Sequence, residues 1–299
     1  MIKEIQVKSV LNKKKKRDDW FLDEYTVNPY EGCSFNCQYC YIRGSKYGEN
    51  MADDLAVKIN ALEILDRQLA FRAKKKQHGI VALASATDPY IGSDDRYQLT
   101  RGFLKLFLKH RFPVLMLTKS DKIVNDLPLL KQIDEAAILP EDLKSKLSRG
   151  VIISFSFSTM DGAIARRLEP GAPSPQERLR ALAVCKRHGF LVGVNCIPAL
   201  PFISDTDEQL DKMVSAAKEH GADYILVGGL TLFGQGPADS RTLYHRFLER
   251  EFPQLMDRYK SLYRMHPFPE KDYLNQLSVR ANSLCEKYRI ANNILDACA

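Results

Sequence analysis

Cys33, Cys37 and Cys40 stand in the run Asn28-Pro29-Tyr30-Glu31-Gly32-Cys33-Ser34-Phe35-Asn36-Cys37-Gln38-Tyr39-Cys40-Tyr41, spaced CxxxCxxC on one Gly- and Asn-containing loop. Thiolates are soft ligands, and three within one loop suit an iron–sulfur cluster or zinc. A closed structural site wants a fourth ligand. The next histidine, His78, and the next cysteine, Cys185, have no ligand spacing to the loop. Three thiolates on a four-iron cluster leave one iron open to a further ligand, an asymmetry that chemistry can use. The chain has seven cysteines. An odd number, with three crowded together, argues against a disulfide framework and for a reducing compartment. Cys185, Cys196, Cys285 and Cys298 form no CxxC, so no second cluster is expected.

Such a loop needs a rigid frame. Apolar runs rich in β-branched residues recur at 79–86, 113–118, 150–158, 190–197 and 223–230, each bounded by Gly, Pro or Asp. Their near-continuous apolar character predicts strands buried on both faces of a parallel sheet. Helical stretches alternate with them. In 52–76, Leu55, Ile59, Leu62, Leu65 and Leu69 recur at spacings of three and four and predict one apolar stripe. Segments 94–110, 121–136, 174–188 and 205–220 read the same way, with Ser174 and Asp205 as expected N-caps and Gly189 and Gly221 as stops. A first strand at Tyr25–Val27 brings the count to six β/α units.

Right-handed strand–helix–strand units build parallel sheets or barrels, and six fit an incomplete barrel better than a closed eight. The expected fold class is therefore α/β, a partial (β/α)6 barrel. Its expected organisation is a basic N-terminal segment over 1–24, a core over 25–235 and a C-terminal helical extension over 236–299. That extension carries helical patterns at Arg241–Arg250, Leu255–Tyr263 and Tyr273–Tyr288.

A chain of 299 residues is long for an ordinary domain but normal for one α/β barrel. No run approaches the roughly 18 apolar residues of a membrane span. The first twenty residues carry no apolar stretch between their charges and a cleavage site. A cytoplasmic protein with no membrane partner is expected. Net charge is +7, and residues 1–20 hold seven Lys/Arg against three acidic residues. A solvated basic tail is the plainer reading, and a contact to phosphate-bearing partners is the alternative.

The cysteine loop resembles that of the radical S-adenosylmethionine superfamily, whose signature is CxxxCxxC with an aromatic residue, here Tyr39, before the third cysteine. The resemblance implies that Cys33, Cys37 and Cys40 hold a [4Fe-4S] cluster. It also implies that the open iron takes the amino and carboxylate groups of S-adenosylmethionine, and that one electron splits the sulfonium to a 5′-deoxyadenosyl radical. An electron donor such as flavodoxin or ferredoxin follows as a partner. Further segments narrow the likeness: Ala84-Ser85-Ala86-Thr87-Asp88-Pro89-Tyr90, Leu99-Thr100-Arg101, Leu117-Thr118-Lys119-Ser120, Ile153 to Thr159, Leu168 to Pro173 with Arg178, and Cys196-Ile197-Pro198. In that order, across roughly 25–235, they look like the spore photoproduct lyase-like branch.

Carried over, the resemblance puts Tyr39 near the adenine of S-adenosylmethionine. Thr87, Lys119 and Ser156 match positions holding its ribose or methionine end, with Lys119 pairing the methionine carboxylate. The plainer reading of each is a strand-end polar residue satisfied by nearby backbone. Tyr39 and Tyr41 match a tyrosine pair beside the cluster that relays a hydrogen atom, with a packed aromatic as the alternative for Tyr41. Asp88 is an Asx turn residue or a site residue. Glu169 and Arg178 are expected to pair structurally. One departure stands out. The lyase's hydrogen-donating cysteine corresponds to Ser85, whose O–H bond is too strong for that role. Cys196 is a substitute donor or, more simply, a small buried core residue.

Three functional readings stay open. The first is a radical S-adenosylmethionine enzyme acting on nucleic acid, such as a pyrimidine lesion lyase. The second is an enzyme of that kind with a small-molecule or peptide substrate, and the third is a non-catalytic metal-binding, nucleic-acid-binding protein.

Overall fold

A computed structural model of the chain describes residues 2–45, 55–264 and 266–298. The elements begin with β1 (Lys3–Ile5), β2 (Asn12–Lys13), β3 (Tyr25–Val27), β4 (Tyr30–Glu31), β5 (Ala56–Lys58) and α1 (Ala61–Lys74). They continue with β6 (Val81–Leu83), α2 (Asp94–Tyr97), α3 (Leu99–His110), β7 (Val114–Thr118), α4 (Leu127–Ala136) and β8 (Val151–Ser156). After these come α5 (Gly162–Leu168), α6 (Pro175–Arg187), β9 (Leu191–Ala199), α7 (Asp207–Glu219) and β10 (Tyr224–Gly229). The chain ends with α8 (Ser240–Glu251), α9 (Met256–Tyr263) and α10 (Lys271–Tyr288).

All six expected strands are present. They run parallel within one seven-stranded sheet ordered β10-β9-β8-β7-β6-β3-β2, where β2 is antiparallel to β3. Successive strands in chain order make the wall of a partial (β/α)6 barrel. The period of two along each strand sorts its residues. Val114, Met116, Val151, Ile153, Phe155, Val192 and Val194 pack on the helices in the main core. Their alternates Leu115, Ile152, Leu191, Tyr224 and Leu226 form a second apolar layer. Further along that same face the residues turn polar at Ser156 and Asn195, which are register partners across β8 and β9.

Several expectations shift. The helix expected over 52–76 begins only at Ala61. Ala56–Lys58 is instead β5, which pairs with β1 and β4 in a small sheet, and residues 52–54 lie outside the described residues. The stripe is thus Ala61, Ile64, Leu65 and Leu69, whereas Ile59 and Leu62 are exposed. Gln98, at φ 52°, divides 94–110 into two helices, and 121–136 opens as a 3-10 turn over Asp121–Asp126. Helix α5 lacked a sequence signal. Ser174 caps α6 in a capping box with Glu177. Thr206, not Asp205, caps α7; Asp205 is buried and accepts the Tyr273 hydroxyl. Gly189 and Gly221 follow α6 and α7 with φ of +82° and +88°.

The N-terminal segment is not a solvated tail. It supplies β1 and β2, and Val10 and Leu11 are buried. Asn60 exchanges hydrogen bonds of 3.0 Å with both backbone groups of Val7. Gln68 accepts from Val10 and Leu11 N–H at 3.0 and 2.9 Å. The helices α8 and α9 pack with Tyr39, Leu168, Leu200 and Leu230 in a separate apolar cluster.

Candidate active site

The cysteine loop follows β4 directly, so the small sheet fixes its entry. Asn36, in the left-handed region at φ 52°, donates its N–H to the Cys33 carbonyl at 3.2 Å. Cys40 N–H reaches the Cys37 carbonyl at 3.3 Å. The buried Arg43 guanidinium binds the Cys37 and Ala238 carbonyls, both at 3.3 Å, and the Asn36 side chain. From across the barrel, the segment after α5 docks on the loop. Gln38 N–H donates to the Leu168 carbonyl at 2.8 Å, and Gly171 N–H donates to the Phe35 carbonyl at 3.1 Å. A Cβ on Gly171 would fall 2.2 Å from the Ser34 carbonyl oxygen, so this approach requires glycine.

Glu169 sits inside that clamp, 1% exposed. Its carboxylate accepts the Tyr39 hydroxyl, accepts Ser158 Oγ at 2.8 Å, pairs with Arg178, and lies 4.0 Å from the Lys119 ammonium. Burial alone would push the Glu169 carboxyl up, but Arg178, Lys119 and the Tyr39 hydrogen bond together hold it below its ordinary value. Burial and the neighbouring Glu169 charge push the Tyr39 phenol well up, so it stays protonated.

One cavity of about 480 Å³ gathers the expected residues. Cys33, Cys37, Cys40, Tyr39, Tyr41, Ser85, Thr87, Asp88, Lys119 and Ser156 all line it. Their engagements differ. Thr87 Oγ1 donates to the Gly32 carbonyl at 2.6 Å, as its plainer reading expects. The buried Asp88 accepts Tyr90 N–H at 3.0 Å in an Asx turn, Thr118 Oγ1 at 2.9 Å and Lys119 N–H at 2.7 Å. It thereby brackets the residue that carries the cation. Tyr41 is 48% exposed, so it is not a packed core aromatic, and its hydroxyl donates to the Ser85 carbonyl at 2.6 Å. Cys196 is buried in the main core and does not line the cavity.

Three further features carried too little sequence signal. Arg43 had none. Asn195 is 3% exposed and lines the cavity, and its Oδ1 has no hydrogen-bond partner among the described residues. Its one clue was a polar residue inside an apolar run. Residues 14–23 form a strap whose Lys14, Asp18, Phe21 and Asp23 line the cavity. Lys14 donates to the Glu24 carbonyl and to Asp23, both at 2.8 Å, which ties one end of the strap beside β3. At its far turn the Trp20 indole lies within 3.2 Å of where a Cβ on Gly228 of β10 would stand. The strap therefore crosses from the first parallel strand to the last.

The donor set can be tested for fit. Among the described residues no three His, Cys, Asp or Glu side chains form a group that encloses a single metal ion. A four-iron cluster instead presents separate iron corners to its thiolates, so the three cysteines on one cavity wall fit it better than zinc. Burial pushes the Cys33 thiol up to about 12 and raises Cys37 and Cys40 as well, with Lys119 pulling these two back. Metal uptake by such thiols must release protons.

The model of the radical SAM superfamily matches residues 27–217. The chain belongs to the radical SAM superfamily. It is an enzyme of that family, whose cofactors are a [4Fe-4S] cluster and S-adenosylmethionine and whose chemistry needs a reductant. An uncharacterized protein of Mycobacterium tuberculosis is 32% identical over 275 residues, which is 90% of this chain and 76% of that protein. A radical SAM Nalpha-GlyT isomerase of Pseudomonas phage M6 is 22% identical over 231 residues, 76% of this chain and 44% of that one. A spore photoproduct lyase variant with bound AdoMet and dinucleoside spore photoproduct superposes with a TM-score of 0.63 at 17% identity. It covers 95% of this chain and 78% of its own. That likeness is one of fold. Among the described residues no helix is long and apolar enough to cross a membrane.

Proposed function

We propose that Cys33, Cys37 and Cys40 hold a [4Fe-4S] cluster and that the chain cleaves S-adenosylmethionine reductively, using the 5′-deoxyadenosyl radical on a nucleic-acid substrate. The reading rests above all on one observation: the three thiols, Tyr39, Thr87, Lys119 and Ser156 share the wall of a single cavity. When bound, the reduced cluster supplies the electron that breaks the sulfonium bond. The chain's own residues do the rest. Lys119 pairs with the methionine carboxylate, Ser156 and Thr87 flank the ribose or methionine end, and Tyr39 packs near the adenine. Tyr41, at the cavity wall with its phenol O–H on the Ser85 carbonyl, is the side chain suited to pass a hydrogen atom.

Two features support nucleic acid. Trp20, 46% exposed beside Gly228 on the strap, and Tyr41, 48% exposed at the cavity wall, offer stacking faces for a base. Lys13, just before the strap, and Lys15 and Lys16 on the same strap as Trp20 are exposed. A second reading, a small-molecule or peptide substrate, is favoured by the lack of a thiol donor. Among the described residues no cysteine outside the loop lines the cavity, and on the resemblance Ser85 corresponds to the lyase's hydrogen-donating cysteine.

On this reading residues 25–235 are the catalytic core, residues 1–24 wall it, and residues 236–299 cover it. The electron donor is a flavodoxin or ferredoxin, and the setting is cytoplasmic. The deciding experiment is anaerobic. The protein is reconstituted with iron and sulfide, reduced with dithionite and given S-adenosylmethionine, and 5′-deoxyadenosine is quantified. Formation above a no-protein control is expected. A fully loaded cluster whose EPR signal ignores S-adenosylmethionine would make the cluster structural and sink the proposal.

A further inference from the structure

We infer that Glu169 is the positioning residue of this site, acting on the cluster loop through Tyr39 and on the cofactor wall through Lys119. The inference rests on the function proposed above. Glu169 itself does not line the cavity, and its side chain is 0% exposed, so it touches neither cluster nor cofactor. Its reach is through others. Tyr39, two residues after Cys37 and one before Cys40, gives its hydroxyl to this carboxylate. The Lys119 ammonium lies 4.0 Å from Oε1 and 5.9 Å from the centre of the Tyr39 ring, with its side chain 13% exposed at the cavity wall.

A lysine is a point charge on a flexible four-carbon stem, and an unanchored ammonium must be ordered again each time an anion binds. Glu169 removes that freedom. Arg178, 1% exposed, neutralises the carboxylate while donating to the Ser156 carbonyl at 3.0 Å and the Pro173 carbonyl at 2.8 Å. The Glu169–Arg178 pair therefore adds no net charge. The Lys119 cation is left over for a ligand carboxylate and is held in place for it. A second consequence concerns the loop. Three backbone approaches already join residues 168–171 to the cysteine loop at Ser34, Phe35 and Gln38, and the Tyr39 hydroxyl adds a side-chain hydrogen bond from the loop into the same carboxylate. One group thus sets both the aim of the cation and the seat of the aromatic.

The test compares S-adenosylmethionine with decarboxylated S-adenosylmethionine by equilibrium dialysis against the reconstituted full chain. The parent protein is expected to prefer the carboxylate-bearing ligand by about tenfold or more, the scale of a hydrogen bond between charged groups. Lys119→Met should lower that preference by about tenfold, leaving the part that the carboxylate owes to the open iron. The variant E169Q/R178M removes both members of the pair without leaving a buried charge unpaired or altering the net charge around Lys119. Its preference should fall to about that of Lys119→Met. Tyr39→Phe should keep the preference, load iron and sulfide like the parent, and change the EPR spectrum of the reduced cluster.

A purely structural pair gives a different pattern: E169Q/R178M weakens both ligands alike, or Tyr39→Phe leaves the spectrum unchanged. Either result overturns the inference. Glu169→Asp keeps the charge but withdraws the carboxylate by one methylene, and the same loss of preference is expected should the double variant fail to load its cluster. A parent that forms 5′-deoxyadenosine while E169Q/R178M and Glu169→Asp both keep full preference defeats the positioning role and leaves the enzyme assignment standing. A parent that forms none defeats the assignment itself.

Discussion

On one side of the cavity the cysteine loop is held by groups almost wholly withdrawn from water, with Arg43 at 4%, Glu169 at 1% and Arg178 at 1% exposure. On the other side the strap is held partly at the surface, where the Lys16–Asp19 pair leaves its side chains 80% and 79% exposed. Buried ion pairs are costly to break and geometrically exacting, while exposed pairs contribute little and rearrange readily. The contrast matches what each wall would have to do. The loop wall must hold three thiols in register. The strap wall meets whatever enters, and it can vary without disturbing the thiols.

The largest expected effect strikes the loop wall. Cys37→Ala removes a thiolate for which no described neighbour substitutes, so cluster absorbance and 5′-deoxyadenosine should both be lost. A variant that keeps the cluster and the cleavage breaks the ligand assignment. Next comes the charge inside the clamp. Arg178→Met alone leaves the buried Glu169 carboxylate with Lys119 as its one cation among the described residues, and such a half-pair costs about 3–5 kcal/mol. Denaturant unfolding of the metal-free protein should register this cost, whereas Lys16→Ala on the strap should leave the midpoint where it was. Equal shifts in the two variants would erase the difference between the walls.

The thiols set a pH dependence with a definite sign. Burial raises Cys33 from its ordinary 9.0 to about 12, and Cys37 and Cys40 rise as well. The neutral thiol is therefore the form present at neutral pH, and on the proposed ligand assignment each thiol must lose a proton to bind iron. Cluster loading should accelerate as pH rises from about 6.5 to 8.5, by up to about tenfold per unit for each rate-limiting thiol. A rate flat with pH over that range would mean that the thiols ionise before iron arrives.

The loop wall was also the more legible wall in the sequence, for a physical reason. Ligand spacing is local, so Cys33, Cys37, Cys40 and Tyr39 declare themselves within eight residues. The six buried strands declare themselves by continuous apolar runs. What joins distant segments was harder to see. Glu169 and Arg178 read as a pair, but their tie to Tyr39 spans 130 positions. The strand at Ala56–Lys58 exists because β1 and β4 flank it, and within the chain it looked like the start of a helix. The strap was hidden by its own charge. Lys13 to Lys16 read as a solvated run, yet Lys14 turns inward to Asp23 while Lys13 and Lys15 stay outside.

The smallest expected effect is on the strap and bears on the substrate. Trp20 is the one tryptophan of the chain, so its fluorescence reports on this wall alone. A fluorescein-labelled single-stranded oligothymidylate should bind at low salt and quench that fluorescence. Trp20→Leu should weaken the binding by about tenfold, the scale of one base stacked on an aromatic ring, and Trp20→Phe should recover most of it. Stacking releases no counterions, so the slope of affinity against salt should stay unchanged in both variants. Lys13→Gln and Lys15→Gln should do the reverse, each lowering the slope by about one with a modest loss of affinity. An oligonucleotide that fails to bind at low salt, or binds without touching Trp20 fluorescence, would detach the strap from nucleic acid. The wall would then belong to the small-molecule or peptide reading, for which Lys14, Asp18, Phe21 and Asp23 are the strap residues that line the cavity.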